Sequence, residues 1–244
     1  MKFRQSLAHR LLNFNVGLMA LGLAAGLQAQ TPGKAVVRAV SGDATFSTAG
    51  SAPAPLKVGA TLYAGTTIKT SSGAVVDLFL GNSAGVVRVA ESTTLSIDKL
   101  VSTETGADSV VEVQLNLPDG TIWGNANKLS AASKYEIKVP NGVAGIRGTQ
   151  FRINSAGYVV LLNGSLIMVY VPPNGNPTPY PLFGPPAQYF SPTEGVKPAP
   201  DELVREVSDQ FGAMGRFPGD HVHPPPWIPG PPPFIPPSEV GRGR

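Results

Sequence analysis

The stretch VPNGVAGIRGTQFRI, from Val139 to Ile153, decides the fold prediction for this chain. Within it, Arg147 lies between Gly145 and Gly148, and apolar runs lie on both sides. Such a segment is either a basic loop that binds an anion or a turn that joins two strands. An anion site needs several converging donors, and neither a helix N-terminus nor a second basic cluster is predicted nearby. We therefore expect Arg147 to lie along a sheet edge and to pair with a carboxylate or with loop carbonyls.

The strand interpretation explains most of the other residues in this stretch. Pro140-Asn141-Gly142 is typical of a turn. Gly145 and Gly148 allow bends, or a close approach of two backbones where a Cβ atom would collide. Phe151 and Ile153 are two residues apart, so on a strand they point to one face, which we expect to be buried. The stretch therefore predicts a structural signature rather than a binding site.

The segments around this stretch show the two-residue period of half-buried β-strands. VVEVQLNL, from Val110 to Leu117, alternates apolar and polar residues over most of its length. YVVLLNGSLIMVY places Asn163-Gly164 between two apolar runs, which is a strong β-hairpin signal. Short strands separated by glycine-containing turns favour an antiparallel sandwich or barrel over a parallel α/β sheet. We predict an all-β fold, an antiparallel β-sandwich.

Composition divides the 244 residues into zones. Residues 1–29 begin with positive charges and continue as an apolar run, and residues 30–35 form a short linker. Residues 36–171, rich in Val, Ile, Leu, Thr and Gly, are predicted to form the sandwich. Residues 172–244 contain 20 of the 25 prolines. Because proline lacks an N–H donor and fixes φ, we expect this tail to be extended, polyproline-II-like or disordered.

One segment of the tail predicts a short helix near residues 201–214. Acidic residues stand at its start, where negative charge suits the helix dipole, and Pro200 directly precedes it. Its apolar residues recur at helical spacing: Leu203, Val204, Val207, Phe211 and Met214. We expect this helix to lie on the sandwich.

The first 29 residues are typical of a secretory signal peptide. Lys2, Arg4 and Arg10 form a positive n-region, an apolar segment follows from residue 11 to 27, and Ala29 is a small residue before a plausible cleavage point. The alternative is a retained N-terminal anchor, because the apolar segment is long for a signal peptide. Either way we expect the rest of the chain in the periplasm or outside the cell, with no membrane span once the signal is removed.

Charge and cysteine content exclude several classes of function. The formal net charge is +3, but without the three basic residues of the first 29 the chain holds 16 basic and 16 acidic residues. Such a neutral chain lacks the positive field that nucleic-acid binding needs, so no nucleic-acid partner is expected. The absence of cysteine excludes disulfides, thiolate metal sites and cysteine nucleophiles.

No catalytic constellation is visible in the sequence, so we expect a protein that is not an enzyme and needs no cofactor. The carboxylates of the middle zone are scattered, and no G-x-S-x-G, P-loop or dinucleotide fingerprint occurs. His221 and His223 form an H-x-H pair beside Asp220, which makes them weak candidates for a metal site. A catalytic zinc normally has three well-fixed ligands, so the interpretation as a solvated tail is preferred and no metal is predicted.

Several of these motifs, in this order, resemble the FecR family of bacterial extracytoplasmic domains. They are VSGDATF, the run LKVGATLYAGTTIKTSSGAVVDLFLGNSAGVVRVAESTTLSI, the pair VQLNLPDGTIWGNA, the hallmark YEIKVPNGVAGIRGTQFRI and the segment YVVLLNGSLIMV. The resemblance covers about Val36 to Val171 and implies a jelly-roll-like β-sandwich. Its hallmark places the fold-signature residues at Gly145, Arg147, Gly148, Thr149 and Phe151.

Two functions are compatible with these expectations. The first is an exported binding or scaffold protein of the cell envelope, whose partner is an envelope protein or a cell-wall or surface polysaccharide. The alternative is an envelope signalling component that senses a state and acts through a separate membrane regulator. Family members that regulate iron uptake carry a cytoplasmic anti-sigma segment before their membrane helix. Only ten residues precede the apolar run here, so we do not expect direct control of a sigma factor.

Overall fold

The structure, a computed structural model, describes residues 31–105 and 108–214. These residues form 18 β-strands and one helix. The first nine strands are β1 (Thr31–Pro32), β2 (Ala35–Ser41), β3 (Ala44–Thr48), β4 (Ala54–Pro55), β5 (Thr61–Leu62), β6 (Thr66–Thr70), β7 (Val75–Phe79), β8 (Val86–Val89) and β9 (Thr94–Thr105). The others are β10 (Asp108–Asp119), β11 (Thr121–Asn125), β12 (Lys134–Val139), β13 (Gly142–Ile146), β14 (Gln150–Asn154), β15 (Val159–Tyr170), β16 (Thr178–Gly184), β17 (Gln188–Ser191) and β18 (Gly195–Pro198), followed by the helix α1 (Asp201–Ala213).

The strands form two sheets. In the first sheet the strand order is β4-β3-β6-β9-β10-β12-β13-β15-β16, with β1 also paired to β9. Its neighbours are antiparallel except for the parallel pair β10–β12. In the second sheet the order is β5-β2-β7-β8-β11-β14-β15-β17-β18, and all neighbours are antiparallel. The predicted all-β, sandwich-like fold is confirmed.

The long strand β15 belongs to both sheets. Its first half pairs with β14 and β17 in the second sheet, and its second half pairs with β13 and β16 in the first. The chain therefore passes from one layer of the sandwich to the other within a single strand.

The core lies between the two sheets and follows the alternation seen in the sequence. On β10, Val111, Val113, Leu115 and Leu117 are buried, and the residues between them are more exposed. On β14, Phe151 and Ile153 have no exposed surface, as the sequence predicts. Each fully buried side chain of this size stabilises the fold by about 1.5–3 kcal/mol relative to an exposed one, so the closed core holds the two sheets together.

The predicted hairpin at Asn163-Gly164 is wrong. These residues lie in the middle of β15, where the strand moves from the second sheet to the first. A two-residue hairpin turn of the Asn-Gly type needs positive φ at both residues. Gly164 has φ of +86°, but Asn163 is not in the left-handed region. The two apolar runs therefore form one bent strand, each half burying its side chains in a different layer.

The strand pairing also continues past Val171, where the sandwich was predicted to end. The tail from 172 was expected to be extended or disordered, yet residues 178–198 contain β16, β17 and β18. In the described chain, β16 pairs with β15 alone, so it is an edge strand. Pro179, Pro181 and Phe183 are two residues apart, so their backbone nitrogens point to the same side of β16. On that side the Phe183 N–H donates to Gln188 Oε1 at 2.8 Å. An edge strand tolerates these prolines because its outward positions donate no ladder hydrogen bond.

The bounds of the linker and of the C-terminal helix differ little from the predicted ones. The predicted linker 30–35 contains the two-residue strand β1 and the start of β2. The predicted short C-terminal helix is confirmed as α1, and Pro200 stands at its N-cap position. Within the described ranges, no helix has the length and apolarity needed to cross a membrane. The predicted signal peptide and the tail after 214 lie outside the described residues.

Tyr135 contributes a buried phenol to the core. The side chain lies on β12 and is 2% exposed, and within residues 31–105 and 108–214 its hydroxyl has no hydrogen-bond partner. Burial raises the pKa of Tyr135 above its ordinary value of 10.0. Above pH 10 the unfolded chain therefore releases this proton while the folded protein keeps it, and stability falls as the pH rises.

We predict that Tyr135→Phe raises the free energy of unfolding by about 1 kcal/mol at pH 7, because it removes a buried polar group without a partner. Between pH 10 and 12, the wild type should lose about 1.4 kcal/mol per pH unit relative to the variant. Denaturant melts of both proteins across this pH range measure the difference. A variant that is less stable than wild type at pH 7 would contradict the prediction.

Candidate functional site

The signature segment forms a corner of the sandwich. Strand β13 lies in the first sheet and β14 in the second. The chain therefore crosses from the first sheet to the second at Arg147, Gly148 and Thr149. The return crossing within β15 lies directly against this one, because the Arg147 N–H donates to the Ser165 carbonyl at 3.1 Å. On the other side, the Thr149 carbonyl accepts from the Ala126 N–H at 3.0 Å. Two chain crossings and one loop are therefore held together at this corner.

Glycine is required at two positions of the corner. Gly148 has φ of +86°, and a Cβ there would lie 2.7 Å from Lys128 Cα and 2.9 Å from the Asn127 carbonyl oxygen. Gly164 has the same φ, and a Cβ there would collide with the Gly148 carbonyl oxygen. Real Cβ atoms do not approach backbone so closely, so any side chain would force the crossings apart.

The other signature residues have different roles. Gly145 pairs with Glu136 and Ile167 in the sheet, and a Cβ there would meet only one atom, at 3.9 Å. Of the two predicted roles of Gly145, a bend or a close approach of backbones, the close approach is therefore wrong. Thr149 is 1% exposed, and its hydroxyl has no hydrogen-bond partner in the described part of the chain. Phe151 lies under Gly124, where a Cβ would collide with its ring.

The Arg147 side chain forms hydrogen bonds to a loop. Its side chain is exposed, and Nη1 donates to the carbonyl oxygens of Ser133, at 3.3 Å, and of Ala131, at 3.4 Å. Loop carbonyls were one of the two partners that the sequence predicts. Long, partly exposed hydrogen bonds contribute little to the free energy of unfolding. Arg147 therefore stabilises the loop before β12 only modestly.

The described residues show no assembled catalytic or metal centre. No group of three or more His, Asp or Glu side chains in the described ranges could hold a metal ion. The weak candidates His221 and His223 lie outside those ranges. Several carboxylates of the middle zone are instead in ion pairs with lysines on the first sheet: Glu112 with Lys99, Asp98 with Lys138, and Glu136 with Lys134.

A groove at one end of the sandwich is the best candidate for a binding site. Its volume is about 560 Å³, within the range of small-molecule pockets, and it opens to solvent. Strands β1, β9 and β10 of the first sheet form one wall, and β2 with the end of β7 in the second sheet forms the other. Its apolar lining includes Val36, Leu80, Leu100 and Val111.

The rim of this groove carries polar and aromatic groups that are available to a ligand. Tyr63 is 53% exposed, and Lys34 and Asn82 are exposed too. In the described part of the chain, the Lys34 and Asn82 side chains have no hydrogen-bond or ion-pair partner. One face of the Phe79 ring is covered by Arg38, whose guanidinium carbon lies 4.6 Å from the ring centroid. The groove thus combines an apolar floor, an aromatic ring, an amide and a cation.

Sequence analysis missed this groove. Its lining residues come from five strands and the turns between them, over 32–111, and they form no local motif. Only the pairing of β2 with β7 and of β1 with β9 brings them together. Tyr63, an exposed aromatic residue in a glycine-containing turn, is the one local signal that could have been noticed.

Comparison with known families identifies the middle of the chain. Residues 66–166 match the model of a family described as FecR protein. This segment is a FecR domain. The resemblance seen in the sequence is thereby confirmed, although the match begins at Thr66 and not at Val36. Neither a curated protein nor a solved structure matches the chain.

The FecR match divides the candidate features. It runs from β6 into β15 and includes the whole corner, with both Gly148 and Gly164. The groove straddles its boundary, because Lys34 and Tyr63 precede the matched segment while Phe79 and Asn82 lie within it. The corner is therefore a feature of the FecR domain, and the residues before that domain contribute part of the groove.

We predict that Gly148→Ala destabilises the protein by about 2–4 kcal/mol more than Gly50→Ala. Both glycines have positive φ, so both substitutions carry the strain of a left-handed backbone, but a Cβ at Gly50 meets no atom within 4 Å. The difference between the two variants measures the close approach at the corner. Thermal or denaturant unfolding gives the comparison, and equal losses would show that the corner has room.

Proposed function

We propose that this protein is an exported, non-enzymatic binding protein of the bacterial cell envelope, and that its groove binds an envelope polysaccharide. The observation that carries this proposal is the solvent-open groove, in which Tyr63, Lys34 and Asn82 are available beside an apolar floor. Sugar rings have apolar faces and a periphery of hydroxyl groups. An aromatic side chain packs against the apolar face of a sugar ring, and amide and ammonium groups form hydrogen bonds with its hydroxyl groups.

The lining of the groove supports binding without catalysis. Glycoside hydrolysis uses two carboxyl groups that flank the scissile bond, and no Asp, Glu or His is among the described lining residues. Lys34 is the one charged side chain in this described lining, so the groove favours a sugar chain with carboxylate or phosphate groups.

Location in the envelope is part of the same proposal. The first 29 residues have the composition of a secretory signal peptide, and the absence of cysteine means that the chain needs no disulfide in an oxidising compartment. The FecR domain agrees with this location, because the family is associated with the envelope.

A second candidate function is envelope signalling, and the FecR match is the observation that favours it. In this version the domain senses a state of the envelope and acts through a separate membrane regulator. Deletion of the gene should then change transcripts that depend on an envelope-responsive sigma factor. Unchanged transcript levels together with lost polysaccharide binding would select the binding function.

We predict that Tyr63→Ala weakens polysaccharide binding about tenfold, or ~1.4 kcal/mol, because it removes the exposed ring at the groove. The assay is co-sedimentation of the full chain with insoluble cell-wall sacculi and, separately, calorimetry with soluble surface polysaccharide. Lys34→Gln should weaken binding of the acidic polysaccharide and make the remaining binding less sensitive to salt.

Tyr158→Ala is the matched control. Tyr158 is also an exposed tyrosine, with 43% of its surface accessible, but it lies outside the groove. Binding should therefore be unchanged in this variant. Equal loss in both tyrosine variants, or no binding of either polysaccharide by the wild type, would contradict the proposed role of the groove.

A further inference from the structure

A row of side chains crosses the outer face of the second sheet. Asp77, Arg88, Trp123, Arg152 and Val160 are directly opposite one another on β7, β8, β11, β14 and β15. Directly opposite residues share a face of the sheet, and their neighbours along each strand belong to the buried core on the other face. We call these five residues the helix bed.

The helix α1 lies across this bed. It contacts β11 and β15, and Arg88 Nη1 on β8 donates to the Gln210 carbonyl near its C-terminal end, at 3.2 Å. A helix of 13 residues is about 20 Å long, and the four strand spacings from β7 to β15 add up to ~19 Å. The bed therefore has the length of one short helix laid across the strands.

The bed is strongly built without the helix. Arg88 and Asp77 form a bidentate ion pair, with Nε–Oδ1 at 2.7 Å and Nη2–Oδ2 at 2.8 Å, and both side chains are nearly buried. Two parallel hydrogen bonds fix the guanidinium plane. Nη1, which takes no part in the ion pair, is thereby presented to a helix end that lies above it.

The contacts between α1 and this bed are weak compared with the ion pair within the bed. Of its 13 residues only Val207 is buried, no side chain caps its N-terminus, and its last turn contains no basic residue. A helix of this length is marginal without tertiary contacts. Arg88 supplies the positive charge that suits the C-terminal end of the helix dipole. Burial of Val207 and this single hydrogen bond are thus the main anchors.

The match between α1 and the bed is also incomplete. Trp123 Nε1 and Arg152 Nε are buried, and neither has a hydrogen-bond acceptor among the residues that the structure describes. They belong to directly opposite residues, and the Arg152 guanidinium carbon lies 6.0 Å from the Trp123 ring centroid. Buried donors without acceptors are costly, so a ligand that brings an acceptor to this point would bind the bed better than α1 does.

The charges of the two surfaces are complementary. The helix α1 contains Asp201, Glu202, Glu206 and Asp209 against a single basic residue, Arg205. The bed contains two arginines against one aspartate, and Arg88 is paired with Asp77, so one net positive charge remains. The four acidic side chains of α1 are exposed, so the attraction between helix and bed acts at a distance and not through ion pairs. It favours the approach of an acidic helix over that of a basic one.

We propose that the helix bed is a docking site for an acidic amphipathic helix of an envelope protein, and that α1 occupies it in cis until such a helix displaces it. The bed supplies the length, the charge and two donors for the incoming helix. The incoming helix supplies an acidic polar face, an apolar stripe and a carboxamide or carboxylate acceptor for Trp123 Nε1 and Arg152 Nε. Docking of the partner then releases α1 and the chain that follows it.

The test measures binding of a helix in trans to the full chain. The probe is a fluorescein-labelled synthetic peptide of residues 200–214. Wild type should bind it weakly, because α1 already occupies the bed. Val207→Asp should release α1 in cis and raise the affinity for the probe at least tenfold. Ser208→Asp, which adds the same charge at the neighbouring exposed position, should behave as wild type.

The charge and acceptor requirements are tested with peptide and bed variants. A probe with Glu206→Gln and Asp209→Asn should bind the Val207→Asp chain several-fold more weakly. Among probes with Val204→Gln, Val207→Gln or Phe211→Gln, at least one should bind that chain tighter than the unchanged probe. This gain should disappear when Trp123→Phe is added to the chain, because the donor is then missing.

The proposal fails if the folded Val207→Asp chain binds the probe no better than wild type, or if no glutamine-containing probe gains affinity. Far-UV circular dichroism and a cooperative melt establish that the variant is folded. If Val207→Asp unfolds the sandwich, Leu203→Asp, at a half-buried position of the same helix, provides the same comparison. Polysaccharide binding by these variants should equal that of wild type, which separates this site from the groove.

Discussion

The contact between two chain crossings at the corner of the sandwich is the constraint on which the rest of the structure depends. One crossing leads from β13 to β14 through Gly148, and the other lies within β15 at Gly164. Their backbones are so close that neither position has room for a Cβ atom. Because both crossings move the chain between the same two layers, this contact fixes the registers of β13, β14 and β15 together.

These registers determine what lies on the faces of the second sheet. With β14 paired to β11 and β15, Phe151 and Ile153 point into the core, while Arg152 points outward beside Trp123. A slip by one residue would exchange the two faces. The outer row would then lose its ion pair and its helix, and the core would receive a charge. The buried Asp77–Arg88 pair opposes such a slip, because separating its members would leave an uncompensated buried charge, which costs about 3–5 kcal/mol.

The features that sequence analysis predicted are those carried by local periodicity. The alternation from Val110 to Leu117 predicted a strand with one buried face, and the helical spacing after Pro200 predicted α1. Local turn chemistry was less reliable. Asn163-Gly164 has the composition of a hairpin turn, but the layers on either side require a bent strand there. The prolines of β16 suggested an unpaired chain. The strand pairs with β15 along one edge only, however, and the prolines remove no hydrogen bond from that edge.

The sequence by itself determined that this is an all-β protein with a FecR-like signature, a short acidic helix and a proline-rich C-terminal region. Each of these conclusions depends on residues that are near one another along the chain. Only the tertiary structure revealed the groove, the Asp77–Arg88 pair and the helix bed. It also showed at which signature glycine there is no room for a side chain. The groove and the helix bed join strands that are distant in the sequence. Asp77 and Arg88 lie on the consecutive strands β7 and β8, but their burial depends on the rest of the fold. The energy of a buried charge or of a close backbone contact depends on neighbours that only the folded chain supplies.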